Sequence, residues 1–577
     1  MFQTAKSFLF FLTLGVIFQG LITHGLIKVV ITSIEKRFSL KSTESGAIAS
    51  SFDAGSLLLM IPVTYFGGKL GANRPRYISV GLVILALGAF IWTIPHFTTL
   101  AYNPGEEGGE SLSEYLYVFI LAQLLVGFGY SPLETLGIAY IDDNVDSSTS
   151  SVYIAIVQTG IVLGPAAGFV LGGQLLNFHT DFIDDSRITS ASSLWVGAWW
   201  PGFLVTSIGS LLCATSLFFF PTSLKQNSEE EKDQNQNSEE MLKQFKSLFT
   251  NYTYILISLS DAVDFLILTG LSTFFPKYIE HQYQMTTAAA GQFSGLLVII
   301  AGVSGTIFSG VFVKKFVTST RGAVLTCMVA QCIALPMWFI FLLSCPNLSY
   351  AGISTSSSSM LLECNMNMSC STSSFDPICG SDGLMYLSPC LAGCQHIHQV
   401  SNNFSDCGCI IGDATASRQF CDNNCEYFIP FMLVVLIIFF LTFWINTPST
   451  VALIRSVETH EKSVALGFQR LLVGLFGGVP GPILFGYFID SYCLLWNNGK
   501  FTYIHYFIPI ILFLDESDQR SCLVYDNEKF SILLCSICFV AKLFSLLLYV
   551  GSLVFMKKSE GKNNAAYVID NPTFEHD

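Results

Sequence analysis

Charge is what this sequence has least of. Only 12% of its 577 residues are Asp, Glu, Lys or Arg, against about a quarter in soluble domains. The net charge of −14 gives no basic footprint for a nucleic acid. The chain also has no nucleotide-binding motif, no metal-ligand cluster and no nucleophile constellation. No nucleic-acid partner, no metal, no other cofactor and no enzymatic reaction is therefore expected.

What is present in abundance is apolar. The chain is 51% hydrophobic and has 50 phenylalanines. Runs of about 20 apolar residues, the length that crosses a bilayer as a helix, recur throughout. They predict an all-α membrane protein with twelve transmembrane helices, at 7–31, 45–66, 75–97, 115–139, 151–176, 195–221, 252–275, 287–313, 323–344, 427–448, 463–488 and 528–556. The first run is too long for a cleaved signal sequence and reads as a retained anchor. Lys and Arg concentrate in alternate loops, such as Lys69, Arg74 and Arg76, and Lys314, Lys315 and Arg321. That bias places both termini in the cytoplasm.

The organisation follows. An N-terminal six-helix half spans 1–221 and a Gln-, Asn-, Glu- and Lys-rich cytoplasmic linker 222–250. Spans seven to nine occupy 251–344, a cysteine-rich outer loop 345–425, the last three spans 426–556 and a polar tail 557–577. Basic links after spans two and eight, six spans apart, suit two repeated halves. Span five carries Gly164-Pro165-Ala166-Ala167-Gly168, and span eleven carries Gly477-Gly478-Val479-Pro480-Gly481-Pro482. Helix breakers at corresponding positions of two halves point to a transport path.

Ionisable residues inside apolar runs are costly and default to functional candidates. Here they are Lys28, Asp53, Asp261, Asp264, Arg470 and Lys542. Asp53 suits either a transport role or a buried structural partnership. Asp142 and Asp143 lie where they can pair with Arg74 or Arg76 and latch one conformation. The outer loop holds Cys345, Cys364, Cys370, Cys379, Cys390, Cys394, Cys407, Cys409, Cys421 and Cys425, an even set that predicts five disulfides. Cysteine–zinc clusters are the competing reading. Cys493 and Cys522 predict a sixth bridge in the last outer loop. Asn347, Asn367 and Asn403 head glycosylation sequons.

Several strings carry a family resemblance. Trp195-Val196-Gly197-Ala198-Trp199-Trp200-Pro201-Gly202-Phe203-Leu204 resembles the tryptophan signature of the organic anion transporting polypeptide family, of major facilitator type. Leu136-Gly137-Ile138-Ala139-Tyr140-Ile141-Asp142-Asp143 is similar to another of its motifs. Cys379-Gly380-Ser381-Asp382-Gly383-Leu384-Met385-Tyr386 resembles a Kazal module, with Met385 in place of the usual Thr. The resemblance runs from Ile34-Glu35 to Lys542.

It implies a major facilitator fold of two six-helix halves with a small Kazal-like extracellular domain. The implied function is sodium-independent uptake or exchange of large amphipathic organic anions at the plasma membrane. Bile salts, steroid conjugates, thyroid hormones and prostaglandins are the substrates it suggests, with bicarbonate as a possible counter-anion. Lys28, Arg470 and Lys542 would attract the anionic head within the bilayer, and His96, in Pro95-His96-Phe97, would sense mild acidification. The pattern departs at Leu194 and Gly474, where the family usually has Arg, although Arg470 stands one helical turn before Gly474. Neutral or cationic substrates, a proton-coupled variant, a surface receptor acting through the disulfide loop, and protease inhibition by that loop are the alternatives.

Overall fold

The computed structural model describes residues 4–67, 72–102, 112–145, 147–182, 195–224, 246–317, 319–351, 364–365, 368, 370, 375–398, 403–421, 425–458, 462–496 and 521–570. The linker between residues 225 and 245, the sequon residue Asn367 and the tail beyond 570 lie outside them.

Among the described residues eleven helices are long and apolar enough to cross a membrane. We number them with the fifth span included: α1 Ala5–Phe38, α2 Ser42–Gly67, α3 Arg74–Thr98, α4 Leu112–Asn144, α5 Ser147–Leu175, α6 Pro201–Phe218, α7 Tyr252–Tyr283, α8 Thr287–Phe316, α9 Thr320–Leu342, α10 Phe428–Arg455, α11 Val464–Asp490 and α12 Asn527–Met556. The fifth contains a shorter apolar stretch, Thr159–Leu175. The alternation of twelve helices puts both chain ends on one side, here called the terminal side. The disulfide loop lies on the other, the domain side.

Local signals account for many boundaries. Asn73, Asn251, Thr286 and Ser319 each cap a helix by accepting a backbone N–H three residues on. Prolines stand inside α2, α4, α5, α7 and α10, as packed membrane helices tolerate. Several helices run past the sequence reading, as α1 to Phe38, α7 to Tyr283 and α10 to Arg455, and one starts well later. α6 starts at Pro201, not at 195, because proline suits the first helical turn. The apolar string before it is extended. Ala198 donates to the Phe178 carbonyl (2.8 Å), and Thr180 donates to that of Val196 (3.1 Å). The tryptophans therefore run back along the end of α5.

The domain-side loop folds around a five-stranded sheet. Its strands are β1 Ile378–Gly380, β2 Met385–Tyr386, β3 Cys394–His398, β4 Asn403–Cys407 and β5 Ala416–Ser417, in the order β2-β1-β5-β4-β3. Five disulfides, the number expected, staple it: Cys345–Cys425, Cys364–Cys409, Cys370–Cys390, Cys379–Cys421 and Cys394–Cys407. The arrangement is consistent with a Kazal-like domain. The predicted sixth bridge, Cys493–Cys522, closes a hairpin of β6 Cys493–Trp496 and β7 Cys522–Tyr525 between α11 and α12.

Tyr350, Met385, Leu387 and Leu391 of the domain share one buried cluster with Leu495 of that hairpin. The domain thus rests on the C-terminal half. The short segment before Cys379 is packed as well: Asp376 pairs with Arg418 and its N–H reaches the Leu387 carbonyl.

The two described sequons differ. The Asn347 side chain caps α12, accepting from the Asn527 N–H at 2.7 Å and donating to Asp526 at 3.2 Å. Burial alone would push the Asp526 carboxyl up, but hydrogen bonds from Lys529 and Asn347 hold it below its ordinary range. Asn403 instead projects from β4 and is exposed. Glycan occupancy is expected at Asn403 rather than Asn347. Asn403→Gln should then raise the protein's gel mobility and Asn347→Gln should not; the reverse pattern would contradict this placement.

Candidate functional site

The two halves meet through the domain-side portions of their helices. Glu35 of α1 and Lys277 of α7 form a buried ion pair at 2.5 Å. Ser45 donates to the other Glu35 oxygen (2.5 Å), and Lys277 also donates to Ser42 (2.7 Å). The Lys277 ammonium lies 4.8 Å from the Tyr525 ring centroid, and the Tyr525 hydroxyl is 3.3 Å from that of Ser42. A second α1–α7 pair, Lys36–Glu280, stands at 2.8 Å.

Between α2 and α11 the attachment is a cap supplied across the halves. Asp490 accepts from the backbone N–H groups of Ser42 (2.9 Å) and Thr43 (2.7 Å), at the start of α2. A helix N-terminus presents unsatisfied N–H groups and partial positive charge, so a carboxylate is favoured there. Between α5 and α8 the contact is steric: a Cβ on Gly173 would lie 2.6 Å from Gln292.

Deeper in, two helices carry irregularities. α1 contains a π-helical segment, Leu21–Leu26, and α11 another, Gly474–Gly478. Such bulges are frequent at functional sites. The sequence placed helix breakers in α5 and α11. In α11 the breaker is itself the bulge. In α5 the helix continues through Pro165, and the bulge lies opposite, in α1. There the backbones touch, since a Cβ on Gly25 would sit 2.6 Å from the Gly168 Cα. Small residues permit this approach.

The bulges lie beside the predicted charges. Lys28 follows the first and donates to Ser272 of α7 across the halves (2.6 Å). Asp53 stands on α2. It packs against Gly478 in the second bulge, where a Cβ would meet its carboxyl carbon at 2.8 Å. Lys28 and Asp53 therefore each lie beside a bulge.

Arg470, one turn before the α11 bulge, has a side chain 61% exposed and faces Glu134 of α4 at 3.7 Å. The fourth predicted contact residue is elsewhere. Lys542 is 1% exposed and donates to Asp264 (2.9 Å), inside the C-terminal half. Gln331 also donates to Asp264 at 2.8 and 2.9 Å. The neighbouring Asp261 accepts from Ser449, Gln469 and Tyr549 at 2.5, 2.5 and 3.0 Å. These carboxylates, unpartnered in the sequence reading, tie α7 to α9, α10, α11 and α12.

On the terminal side Arg74 pairs with Asp143, whose side chain is largely exposed. The Arg76 guanidinium lies 5.6 Å from the Phe218 ring centroid, so of the two arginines Arg74 holds the carboxylate. Asp142 lies beside Asp143 at the end of α4. An exposed pair of this kind contributes about 0–1 kcal/mol.

On the domain side His96 stacks on Trp200 (4.4 Å) with Nδ1 3.9 Å from Asp181. Trp199 is buried among Phe38, Phe119 and His96. The indole N–H groups of Trp195 and Trp200 reach the carbonyls of Leu176 and Thr180. The tryptophan string is thus a packed brace of the N-terminal half.

Sequence reasoning missed Glu35, Lys277, Asp490 and Glu134 as interacting groups. Glu35 and Lys277 had a signal, being charges at the edges of apolar runs. Their pairing did not, because 242 residues separate them.

Twelve helices in two halves, with charges between them and a disulfide-stapled loop on one side, define a multi-pass transporter of the major facilitator type. Residues 7–502 match the model of the Organic Anion Transporter Polypeptide (OATP) family, and the chain belongs to that family. It is 35% identical to solute carrier organic anion transporter family member 4A1 of Mus musculus over 97% of this chain and 82% of that one. It is 32% identical to member 4C1 of Homo sapiens over 96% and 82%.

Solved structures share the fold at low identity. A bacterial homolog to the human lysosomal transporter Spinster, inward-facing and unoccupied, matches with a TM-score of 0.58 at 14% identity, covering 96% of each chain. The nucleoside transporter NupG matches at 0.52 and 13% identity, covering 95% of this chain and 99% of that one.

Proposed function

We propose that this protein is a plasma-membrane carrier that takes up or exchanges large amphipathic organic anions, independently of sodium, by alternating access, with both termini in the cytoplasm. The observation that carries the reading is the asymmetry between the two sides of the interface that joins the halves. Their attachments, Glu35–Lys277, Lys36–Glu280 and Asp490 on the start of α2, draw on the domain-side ends. Nearer the terminal side, Arg470 is exposed between α11 and α4. This suits a carrier shut to the outside. A planar guanidinium matches a carboxylate or sulfate with two parallel donors.

Arg470 and Lys28 contact the anionic head, Asp53 borders the same site at the α11 bulge, and Lys542 holds the C-terminal half together. Arg74 and Asp143, paired in this state at the terminal ends of α3 and α4, latch this conformation, with Arg76 and Asp142 beside them. His96, next to Asp181, responds to mild acid on the outer face. Bile salts, conjugated steroids, thyroid hormones and prostaglandins are the substrates to try, with bicarbonate as a counter-anion. The relatives named as organic anion transporters support this class.

The test is uptake by expressing cells of labelled anionic, neutral and cationic amphiphiles, with sodium present or replaced by potassium. Saturable anion uptake that ignores sodium is expected. Arg470→Ala should reduce it about tenfold or more, the cost of a lost charge-assisted contact. Equal uptake by the variant at equal surface level would remove Arg470 from the site. No uptake of any probe by well-folded surface protein would favour the receptor reading.

A further inference from the structure

Most interior cations of this protein are held tightly. Lys277, Lys36 and Lys542 meet their carboxylates at 2.5, 2.8 and 2.9 Å, with side chains 2%, 26% and 1% exposed. Arg470 is different. Its contact with Glu134 is 3.7 Å, outside hydrogen-bonding range, and its guanidinium is open.

The pair also bridges the halves, since Glu134 is on α4 and Arg470 on α11. Glu134 is only 21% exposed and lies one turn from Tyr130 on α4. The other nearby carboxylate, Asp261, is occupied by Ser449, Gln469 and Tyr549.

We infer that Glu134 is an internal competitor for the anion site. It neutralises Arg470 when the site is empty and is displaced when a carboxylate or sulfate docks on the guanidinium fork. Glu134 is then a positioning residue: it acts on substrate through Arg470. Two consequences follow. Without Glu134 the anion has no rival, so it is held more tightly. The anion also leaves more slowly, because no carboxylate replaces it as the halves part, and turnover falls.

This inference rests on the anion-carrier reading. It deepens that reading by identifying what sets anion affinity.

The experiment compares wild type with Glu134→Gln in saturable uptake of a labelled sulfated steroid. Binding of the same probe to detergent-purified protein is measured alongside. Neutralising Glu134 should lower both KM and the dissociation constant about two- to fivefold, the scale of a loosely held ion pair. It should lower kcat as well. Glu134→Asp, which keeps the charge, should restore kcat. A merely structural glutamate would lower surface level or kcat without tightening binding.

Unchanged KM, kcat and binding in Glu134→Gln would overturn the inference, provided the wild type transports and Arg470→Ala does not. If Glu134→Gln does not fold, Glu134→Ala decides: a dissociation constant lowered about two- to fivefold supports the inference, and an unchanged or raised one overturns it. Failure of wild-type protein to bind or carry any anion would be distinguishable, because it would defeat the carrier reading itself.

Discussion

Glu35→Gln is expected to abolish most uptake while leaving the domain-side end open. The Glu35 carboxylate is buried, accepts from Ser45 and Lys277, and joins the two halves. Replacing it with an amide leaves the Lys277 ammonium buried without its bonded carboxylate, beside Ser42 and the Tyr525 ring. Removing one member of a buried ion pair costs about 3–5 kcal/mol.

In a carrier that cost falls on the state in which the pair is made. A bias of that size shifts an equilibrium between two conformations by more than about a hundredfold. The protein would then rest open to the outside and rarely return its site. Ile483→Cys offers a readout, because Ile483 packs against Gly46 where α2 meets α11. Labelling there by an impermeant thiol reagent should rise in Glu35→Gln. Exchanging the charges, Glu35→Lys with Lys277→Glu, should recover part of the uptake and lower the labelling. Wild-type uptake and labelling in the single variant would show that the pair does not gate.

Lys542→Ala is the second change with a large expected effect, and it acts on stability. Lys542 is almost fully buried and donates to Asp264, which also accepts from Gln331. Loss of the lysine leaves a buried carboxylate with an amide as its described partner. The same cost of about 3–5 kcal/mol applies, here to the whole C-terminal half. We expect poor surface expression and a melting temperature in detergent lower by about 5 °C or more.

Lys542→Met with Asp264→Asn removes both charges and should regain most of the lost stability. Its KM for anions should be close to wild type, because Lys542 faces a protein carboxylate. A Lys542→Ala protein that folds normally but has a much higher KM would place Lys542 in the anion site after all.

These two cases show how much was legible in the sequence. Apolar runs of span length give the helices directly, because a bilayer demands that many apolar residues in a row. The exception is instructive. Trp195 to Trp200 is apolar enough to read as helix, yet it is extended, because its indole and backbone groups bond to the chain between Leu176 and Thr180. Composition cannot report that pairing.

The cost of intramembrane charge singled out Lys28, Asp53, Asp261, Asp264, Arg470 and Lys542 as candidates. Which partner each takes depends on helix packing across hundreds of residues. Asp264 and Lys542 are 278 apart. Likewise the cysteine count predicts bridges without their connectivity, which strand pairing settles: Cys394 and Cys407 face each other across β3 and β4.

The central claim is that this chain alone moves organic anions across a bilayer through a site between its halves. Counterflow in proteoliposomes tests it most directly. Purified protein is reconstituted, the vesicles are loaded with an unlabelled sulfated steroid, and entry of the labelled compound is followed. Transient accumulation of label above equilibrium is expected in wild-type vesicles, sharply reduced by Arg470→Ala and by Glu35→Gln. Label entry no faster than in protein-free vesicles, with correctly folded and inserted protein, would contradict that claim.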